Sequence, residues 1–393
     1  MLYQHFVTRF RQTSFLRLTL LNMGLLDELI TGFPIVGLPL LRDQLGLTYA
    51  QVGLLFSAGA LSSMILDPII NLVSDRSSKR WWILGGLLIL AAGYALLGSV
   101  RSFGGLLFVF ILLYPAGSAA VELSQAALID SAPNDGAQTM TRWTMMSGIG
   151  DLLSPLVVAA FVTLNMGWSA LCWLAVGLWL GAAVVIWSQR FPRLTVVTND
   201  DEDAPGGVLS NLRKALQDPL LLRWSILSIL PIMLDEVFIG FAALYMRDVL
   251  HASEVVIGLV IVIQMIGSFL GLFVIDRLVG RVAPQRLLTW SALLALVGVV
   301  GLLSLHSIWL AACSLFVIDL GASGLYPIAK AEAYARQPGR SGVVRAVISL
   351  GQPFEIVLPG IVGLVASRFG VLAGVGLLGL APVLVLIVMP RRR

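Results

Sequence analysis

Apolar runs of about twenty residues follow one another along the whole chain, separated by charged or Gly- and Pro-containing segments. Such a run crosses the roughly 30 Å hydrocarbon core of a bilayer as an α-helix, which satisfies its own backbone hydrogen bonds there. A content of 58 % hydrophobic and 12 % charged residues lies outside the range of soluble domains. We therefore predict an all-α polytopic membrane protein. Its twelve predicted transmembrane helices cover residues 18–41, 50–73, 81–100, 104–129, 140–164, 168–189, 221–246, 253–275, 286–305, 308–332, 342–367 and 370–389.

One long polar segment, residues 189–220, interrupts this pattern and carries the acidic run Asn199–Gly207. It divides the spans into six and six. This predicts an N-terminal six-helix bundle at 1–189, a cytoplasmic linker at 190–220 and a C-terminal six-helix bundle at 221–393. The residues before the first span are polar and lead straight into it, so a cleavable signal peptide is not expected.

Lys and Arg residues are distributed unevenly between the two sides of the predicted membrane. Of the 26 in the chain, 22 lie in the termini and loops of one side. Cytoplasmic loops carry an excess of these residues, so both termini are expected in the cytoplasm of a multi-pass plasma (inner) membrane protein. The net charge of +4 is attributed to loops that face anionic lipid headgroups, and no nucleic-acid partner is expected.

The two halves of the chain are related by an internal duplication. The segment LDELITGF of the first span recurs as LDEVFIGF in the seventh, with Asp27 and Asp235 offset by 208 residues. At the start of the fifth helix of each half, Arg142 matches Arg345 at an offset of 203. Because each half has an even number of spans, the copies are parallel repeats, the topology of transporters with a binding site between two halves.

The loop between the second and third spans, NLVSDRSSKR, carries the sharpest motif. It resembles the loop signature of the major facilitator superfamily of secondary transporters, in which a Gly precedes Asp-Arg, another Gly and a basic pair. Asn71 and Ser78 stand where that signature has glycines. The resemblance implies two pseudo-symmetric six-helix bundles, alternating access, function as a monomer, and a gating loop whose charges stabilise one conformation. Its charged residues are Asp75, Arg76, Lys79 and Arg80. Alternatively, the three basic residues act only as topology determinants.

Carboxylates inside the predicted spans are the main chemical signal. They are expensive in hydrocarbon and mark functional sites by default, although packing with protonated side chains is an alternative. The nearest cations, Arg142, Lys330 and Arg345, lie toward helix ends and are expected to reach the headgroups. Several acids should therefore take up a proton in part of a transport cycle, or bind an organic cation. The candidate substrate- or proton-binding residues are Asp27, Glu28, Glu122, Asp151, Asp235, Glu236, Asp319 and Glu355.

The adjacent acids of each repeat raise a geometric question. On a helix, neighbouring side chains point about 100° apart, so Asp27 and Glu28 do not both face one cavity. Either one of them faces a neighbouring helix or the helix is locally unwound there. Outside the spans, Asp130 is expected to pair with Arg142 at a loop.

These features favour a proton-coupled exporter of small lipophilic or cationic organic compounds. Two departures from drug/proton antiporters weaken that reading: Leu113 stands where they carry an Arg ahead of a Gly, and the fifth helix lacks their Gly-Pro pair. The alternatives are a proton-coupled importer of a neutral nutrient such as a sugar or nucleoside, or a lipid or amphiphile flippase. An organic-anion importer is disfavoured for want of a core cation.

An enzymatic function is not expected. The chain has no phosphate-binding loop with a Lys, no nucleophile elbow and no His/Cys cluster at metal-ligand spacing. Its two cysteines both lie in apolar runs and suggest neither a disulfide nor a metal site. The sequence thus predicts no cofactor and no metal, with a small-molecule substrate, protons and the lipid bilayer as partners.

Overall fold

The computed structural model describes residues 2–36, 47, 49–74, 77–132, 135–189, 191, 207–304, 307–338 and 340–390. These residues form helices joined by short connections. In chain order the helices are α1 (Leu2–Val36), α2 (Tyr49–Ser74), α3 (Lys79–Leu97), α4 (Phe103–Gly117), α5 (Leu123–Asp130), α6 (Gly136–Thr163), α7 (Trp168–Ser188), α8 (Gly207–Leu216), α9 (Pro219–Ile229), α10 (Glu236–Asp248), α11 (Glu254–Leu278), α12 (Pro284–Ser304), α13 (Ile308–Ala322), α14 (Leu325–Ala335), α15 (Ser341–Ser349), α16 (Gln352–Phe369), α17 (Val371–Leu378) and α18 (Ala381–Val388).

Within the described residues, eleven helical segments are long and apolar enough to cross a membrane, from Leu54–Ser74 to Val371–Val388. They correspond to the second through twelfth predicted spans. Residues 37–41 of the first predicted span lie outside the described residues, and α1 covers the remainder of it. The prediction of an all-α polytopic membrane protein is confirmed.

The chain forms two compact units. Unit 1 comprises residues 1–133, 143–212 and 338–349, and unit 2 comprises residues 134–142, 213–337 and 350–393. Helix α15, from the second half of the sequence, therefore belongs to unit 1, where it packs against α2 and α5. The division into bundles at 1–189 and 221–393 stays a prediction.

Unit 1 is held together by apolar side chains and by close approaches of helix backbones. Trp179, Leu20 and Phe33 are almost completely buried in its core. A Cβ atom placed on Gly86 of α3 would lie 2.6 Å from the backbone nitrogen of Ala120, so only glycine permits this contact. The Gly86 contact brings the start of α3 close to the helix that continues from α4.

Unit 2 uses the same device between α12 and α13. A Cβ atom on Gly321 would lie 2.5 Å from the nitrogen of Ala295, and one on Gly298 would lie 2.7 Å from the nitrogen of Ile318. Each helix thus contributes one glycine to the shared seam. Small residues at such seams let membrane helices approach closely enough for van der Waals packing to hold them.

The two copies of the duplicated acidic motif differ in backbone structure. Helix α1 runs continuously through Asp27. In the second copy, α9 ends at Ile229, a 3-10 turn spans Leu230–Leu234, and Asp235 is non-helical at φ −100° and ψ −143° before α10 begins. Pro231 in this turn has no N–H with which to continue the α-helical hydrogen bonds. The local unwinding considered for Asp27 and Glu28 is therefore not present in α1, and the backbone is interrupted at the second copy instead.

Candidate functional site

Three of the predicted acids come together in unit 1. Asp27 of α1 is partly buried and lies within electrostatic range of Glu122 and of Asp151 on α6. The approach of α1 to α6 depends on Gly150, because a Cβ atom there would lie 2.4 Å from the carbonyl oxygen of Leu25. We call Asp27, Glu122 and Asp151 the unit 1 acid group.

Glu28 of α1 faces α6 at the base of its side chain. Its Cβ lies 3.0 Å from the position that a Cβ on Gly150 would occupy. Glu28 is partly buried there. That Asp27 and Glu28 serve different surroundings stays a prediction.

Glu122 is positioned by an irregular turn. Between α4 and α5 the residues Ser118–Glu122 form a π-helical turn, in which Leu123 N–H donates to the Ser118 carbonyl. Such turns insert an extra residue into a helix and occur frequently at functional sites. Across from it, the Arg345 guanidinium of α15 is ion-paired with the Glu122 carboxylate, with side-chain exposures of 11 % and 30 %.

The expectation that Arg345 and Lys330 reach the headgroups is wrong. Arg345 is 9 % exposed because every residue of α15 is buried within unit 1. Lys330 of α14 is 1 % exposed in unit 2, where its ammonium group donates to the Tyr326 hydroxyl and lies 4.8 Å from the centre of that ring. Both cations are therefore held inside the protein, which the apolar pattern of the sequence does not reveal.

A second polar cluster in unit 1 joins Lys79, Asp130 and Ser341. Lys79 Nζ lies 2.7 Å from Asp130 Oδ2, and the Ser341 hydroxyl donates to the same carboxylate oxygen at 2.7 Å. Lys79 also donates to the Ser341 hydroxyl. Both charged side chains are nearly inaccessible, with exposures of 5 % and 6 %. We call this the Lys79 cluster.

The expected ion pair between Asp130 and Arg142 is not formed. Arg142 instead lies in unit 2, where its Nε donates to Asp276 Oδ1 at 3.1 Å, with side-chain exposures of 53 % and 23 %. Sequence proximity suggested the wrong partner, because the Gly86 contact carries Lys79 of α3 to the end of α5. Of the predicted gating loop, Lys79 and Arg80 are described, whereas Asp75 and Arg76 lie outside the described residues.

Unit 2 contains its own acid group. Asp319 of α13 lies beside the side chain of Gln264, which is 1 % exposed on α11, and within electrostatic range of Asp235. Asp235 itself is exposed at the break before α10. The Glu236 side chain lies outside the described part of the structure, and Glu355 is partly buried in the first turn of α16. We call Asp319, Asp235 and Gln264 the unit 2 acid group.

Clustered carboxylates and internal cations have a definite chemistry. Like charges at short range in a medium of low dielectric constant repel strongly, and uptake of a proton or an organic cation relieves that repulsion. An internal guanidinium can equally exchange a carboxylate of the protein for an anionic group of a ligand. Lys330 and Arg345 are visible in the sequence, but the hydropathy pattern assigns them to helix ends and gives no sign that their side chains are buried.

A chain built of membrane-spanning helices with charged groups inside them falls into the class of secondary membrane transporters. It belongs to the Major Facilitator Superfamily, whose model matches residues 20–234, more than half of the chain.

One curated relative shows the likeness in sequence. The chain is 27 % identical over 165 residues to the "Fosmidomycin resistance protein" of Escherichia coli (strain K12). The match covers 41 % of this chain and 41 % of that protein, so the chain spans about two fifths of the relative's length.

Solved structures show the likeness in fold. FucP, a Major Facilitator Superfamily transporter solved in the outward conformation, has a TM-score of 0.76 at 16 % identity, covering 95 % of this chain and 97 % of FucP. The human organic anion transporter MFSD10 (TETRAN) has a TM-score of 0.75 at 17 % identity, covering 96 % of this chain and 99 % of MFSD10. At these identities the likeness establishes the fold alone.

Proposed function

We propose that this transporter is a proton-coupled exporter of small lipophilic or cationic organic compounds, working by alternating access. The observation that carries the proposal is the unit 1 acid group, in which Asp27 lies within electrostatic range of two further carboxylates. A proton or a cationic substrate relieves the same repulsion, so the two compete for the group. Competition of this kind couples the exit of one to the entry of the other. The name of the resistance protein to which the chain is similar also favours export.

The Arg345–Glu122 pair supplies a step in the proposed cycle. When Glu122 is ionised, Arg345 neutralises it and holds α15 against the π-helical turn. Protonation of Glu122 removes the charge that holds the guanidinium, which then becomes available to other acceptors. Protonation of one carboxylate thus changes the packing of a whole helix.

The Lys79 cluster is proposed to stabilise one conformation of the transporter. The resemblance of the α2–α3 loop to the superfamily signature implies this role for Lys79 and its neighbours. The hydrogen bonds to Asp130 and Ser341 fasten α3, α5 and α15 at one point within unit 1. Because both charged side chains are nearly inaccessible, separating them leaves each charge unpaired in a poorly solvated position, which costs free energy. We expect this cost to disfavour intermediate conformations, so that the conformational change is discrete rather than gradual.

A second candidate is transport of an organic anion. It is favoured by the internal guanidinium of Arg345, which the sequence pattern did not predict. The structural neighbour MFSD10 is described as an organic anion transporter, which is consistent with this candidate although it shares the fold alone. An anionic substrate would take the place of Glu122 on Arg345.

Import of a neutral nutrient and lipid flipping are two further candidates. FucP, which shares the fold alone, is described as a fucose:proton symporter, and this is consistent with nutrient import. In a single transport assay, each of these two functions predicts a result that differs from the result expected of a proton-coupled exporter.

Reconstitution in liposomes with an imposed pH gradient separates these functions. An acidic lumen should drive accumulation of a cationic dye if protons leave in exchange for the dye. Uptake of a sugar or of a dicarboxylate driven by an acidic exterior would instead indicate an importer of that substrate. Phospholipid movement without any gradient would replace it by a flippase.

Variants of the acid group test the coupling. We expect Asp27→Asn, Glu122→Gln and Asp151→Asn to weaken gradient-driven dye accumulation at least tenfold. Asp248→Asn is the matched control, because Asp248 is an exposed carboxylate paired with its neighbour Arg247. If all three acid-group variants transport as well as the control, proton coupling through this group is excluded.

A further inference from the structure

A cavity on unit 1 is separate from the acid groups. It lies between α2, α3 and α4, has a volume of ≈ 530 Å³ and is lined by apolar side chains that include Leu66, Trp81, Ile89, Phe108 and Ile111. Among the described residues, none that lines it carries a charge. Volumes of this size are typical of small-molecule sites in proteins. We call it the α2–α4 groove.

The α2–α4 groove faces outward from the helices that form it. Trp81 and Phe108 are 58 % and 61 % exposed, and Leu66, Ile89 and Ile111 are exposed as well. All three helices belong to segments that are long and apolar enough to cross a membrane. Exposed apolar side chains on such segments contact lipid, so in a bilayer the groove opens to the hydrocarbon.

Two adjacent glycines create the groove in different ways. Gly86 permits a close approach of α3 to the backbone at Ala116 and Ala119, and all three residues line the groove. Gly85 also lines the groove, but a Cβ atom placed there would have no described atom within 4 Å. The absent side chain of Gly85 therefore leaves open space that no neighbouring described group requires for packing.

A positive charge lies next to the groove, on the residue that precedes its lining residue Trp81. Arg80 immediately precedes Trp81, and its guanidinium carbon lies 5.6 Å from the ring centre of Trp81 and 5.7 Å from that of Trp187. It donates to the carbonyl oxygen of Trp187, while its Nε is buried with no hydrogen-bond partner in the described part of the chain. Tryptophans and a basic residue at a helix end mark the headgroup level of a membrane.

We propose that the α2–α4 groove binds a phospholipid with an anionic headgroup, whose acyl chain lies in the groove and whose phosphate meets Arg80. Trp81 to Ile89 spans about 12 Å along α3 at 1.5 Å per residue, a length over which an acyl chain running inward from the headgroup level contacts the wall. The guanidinium presents several donors in a fixed plane and binds phosphate well.

Lipid binding can be measured on the whole purified chain by native mass spectrometry and by thermal shift in detergent. The probes are phosphatidylglycerol and phosphatidylcholine of identical acyl chains. Both lipids carry a phosphate that Arg80 can bind, but the choline of phosphatidylcholine adds a positive charge beside the guanidinium, which phosphatidylglycerol lacks. The wild type should therefore retain one phosphatidylglycerol with a preference of roughly tenfold over phosphatidylcholine. Equal binding of the two lipids, or binding of detergent alone, would overturn the proposal.

Three variants locate the site. Gly85→Leu fills the open space and should abolish retention of both lipids, whereas Gly177→Leu is the control, since Gly177 is an exposed α7 glycine whose Cβ would also have no described atom within 4 Å. Arg80→Gln should keep the acyl chain bound and remove the preference for phosphatidylglycerol.

The melting temperature without added lipid reports whether each variant is folded, and Arg80→Gln provides a test that does not alter the groove. If Gly85→Leu retains lipid as Gly177→Leu does, the groove is not the site. The result does not depend on the transported substrate.

Discussion

Arg345 of α15 is ion-paired with the carboxylate of Glu122 at the end of the π-helical turn, and both lie inside unit 1. Its counterpart in the internal repeat, Arg142, is ion-paired with Asp276 in unit 2. The side chain of Arg345 is 11 % exposed and that of Arg142 is 53 % exposed, whereas the two carboxylates are similar at 30 % and 23 %. The duplicated position thus carries a cation in both halves of the chain, with two different degrees of burial.

Breaking the Arg345–Glu122 pair should destabilise the protein far more than breaking the exposed Arg247–Asp248 pair. Arg345→Met leaves a carboxylate in a poorly solvated position, which costs about 3 kcal/mol or more for a fully buried pair and less here because Glu122 is 30 % exposed. We expect a fall of several degrees in melting temperature in detergent, and a smaller fall when Glu122→Gln is added. Arg247→Met should shift it by about a degree or less, because the two side chains of its pair are 53 % and 47 % exposed. Equal shifts for Arg345→Met and Arg247→Met would show that burial of the first pair has no energetic consequence.

The fold could be predicted from the sequence because span length and hydropathy are local properties. The same local view failed for charges whose partners are set by packing. Asp130 has Arg142 twelve residues away, yet it binds Lys79, 51 residues away, because the glycine contact of α3 brings that lysine close. Arg345 has the sequence position of a helix-end residue, yet every residue of α15 is buried. The break at Asp235 could be predicted in part from the sequence, since Pro231 precedes it.

Substitutions of Asp130 and of Ser341 in the Lys79 cluster should lower the melting temperature by different amounts. Asp130→Asn leaves a nearly inaccessible ammonium group without its counter-charge and should lower the melting temperature by several degrees. Ser341→Ala removes one hydrogen bond and should cost about 1 kcal/mol. Thermal shift in detergent measures both.

Arg336→Met is the control for the Lys79 cluster, because Arg336 pairs with Asp218 with side-chain exposures of 41 % and 21 %. We expect this substitution to leave the melting temperature nearly unchanged. A shift for Asp130→Asn no larger than the shift for Arg336→Met would contradict the assigned role of the cluster.

Gly150 should be intolerant of substitution, because it lets α1 and α6 approach each other beside the unit 1 acid group. An alanine there would place Cβ 2.4 Å from the Leu25 carbonyl oxygen, so α1 and α6 must separate. Overpacking of this kind costs about 1–3 kcal/mol, and the separation should also move Asp151 away from Asp27. We expect Gly150→Ala to lower both the melting temperature and gradient-driven transport. Gly181→Ala, with open space around its Cβ, should change neither; a Gly150→Ala protein that matches it would refute the close packing.

The break at the second acidic motif should matter for transport rather than for stability. Pro231→Ala restores an N–H donor and allows the α-helix to continue through Leu230–Leu234, which carries Asp235 into regular helical geometry. We expect the melting temperature to stay the same or rise, while gradient-driven transport falls because Asp235 is displaced relative to Asp319. Pro219→Ala is the matched control, since a proline in the first turn of α9 interrupts no hydrogen bond. Transport assays in liposomes alongside thermal shift separate the two effects. Undiminished transport by Pro231→Ala would mean that the break in the helix is not required for transport.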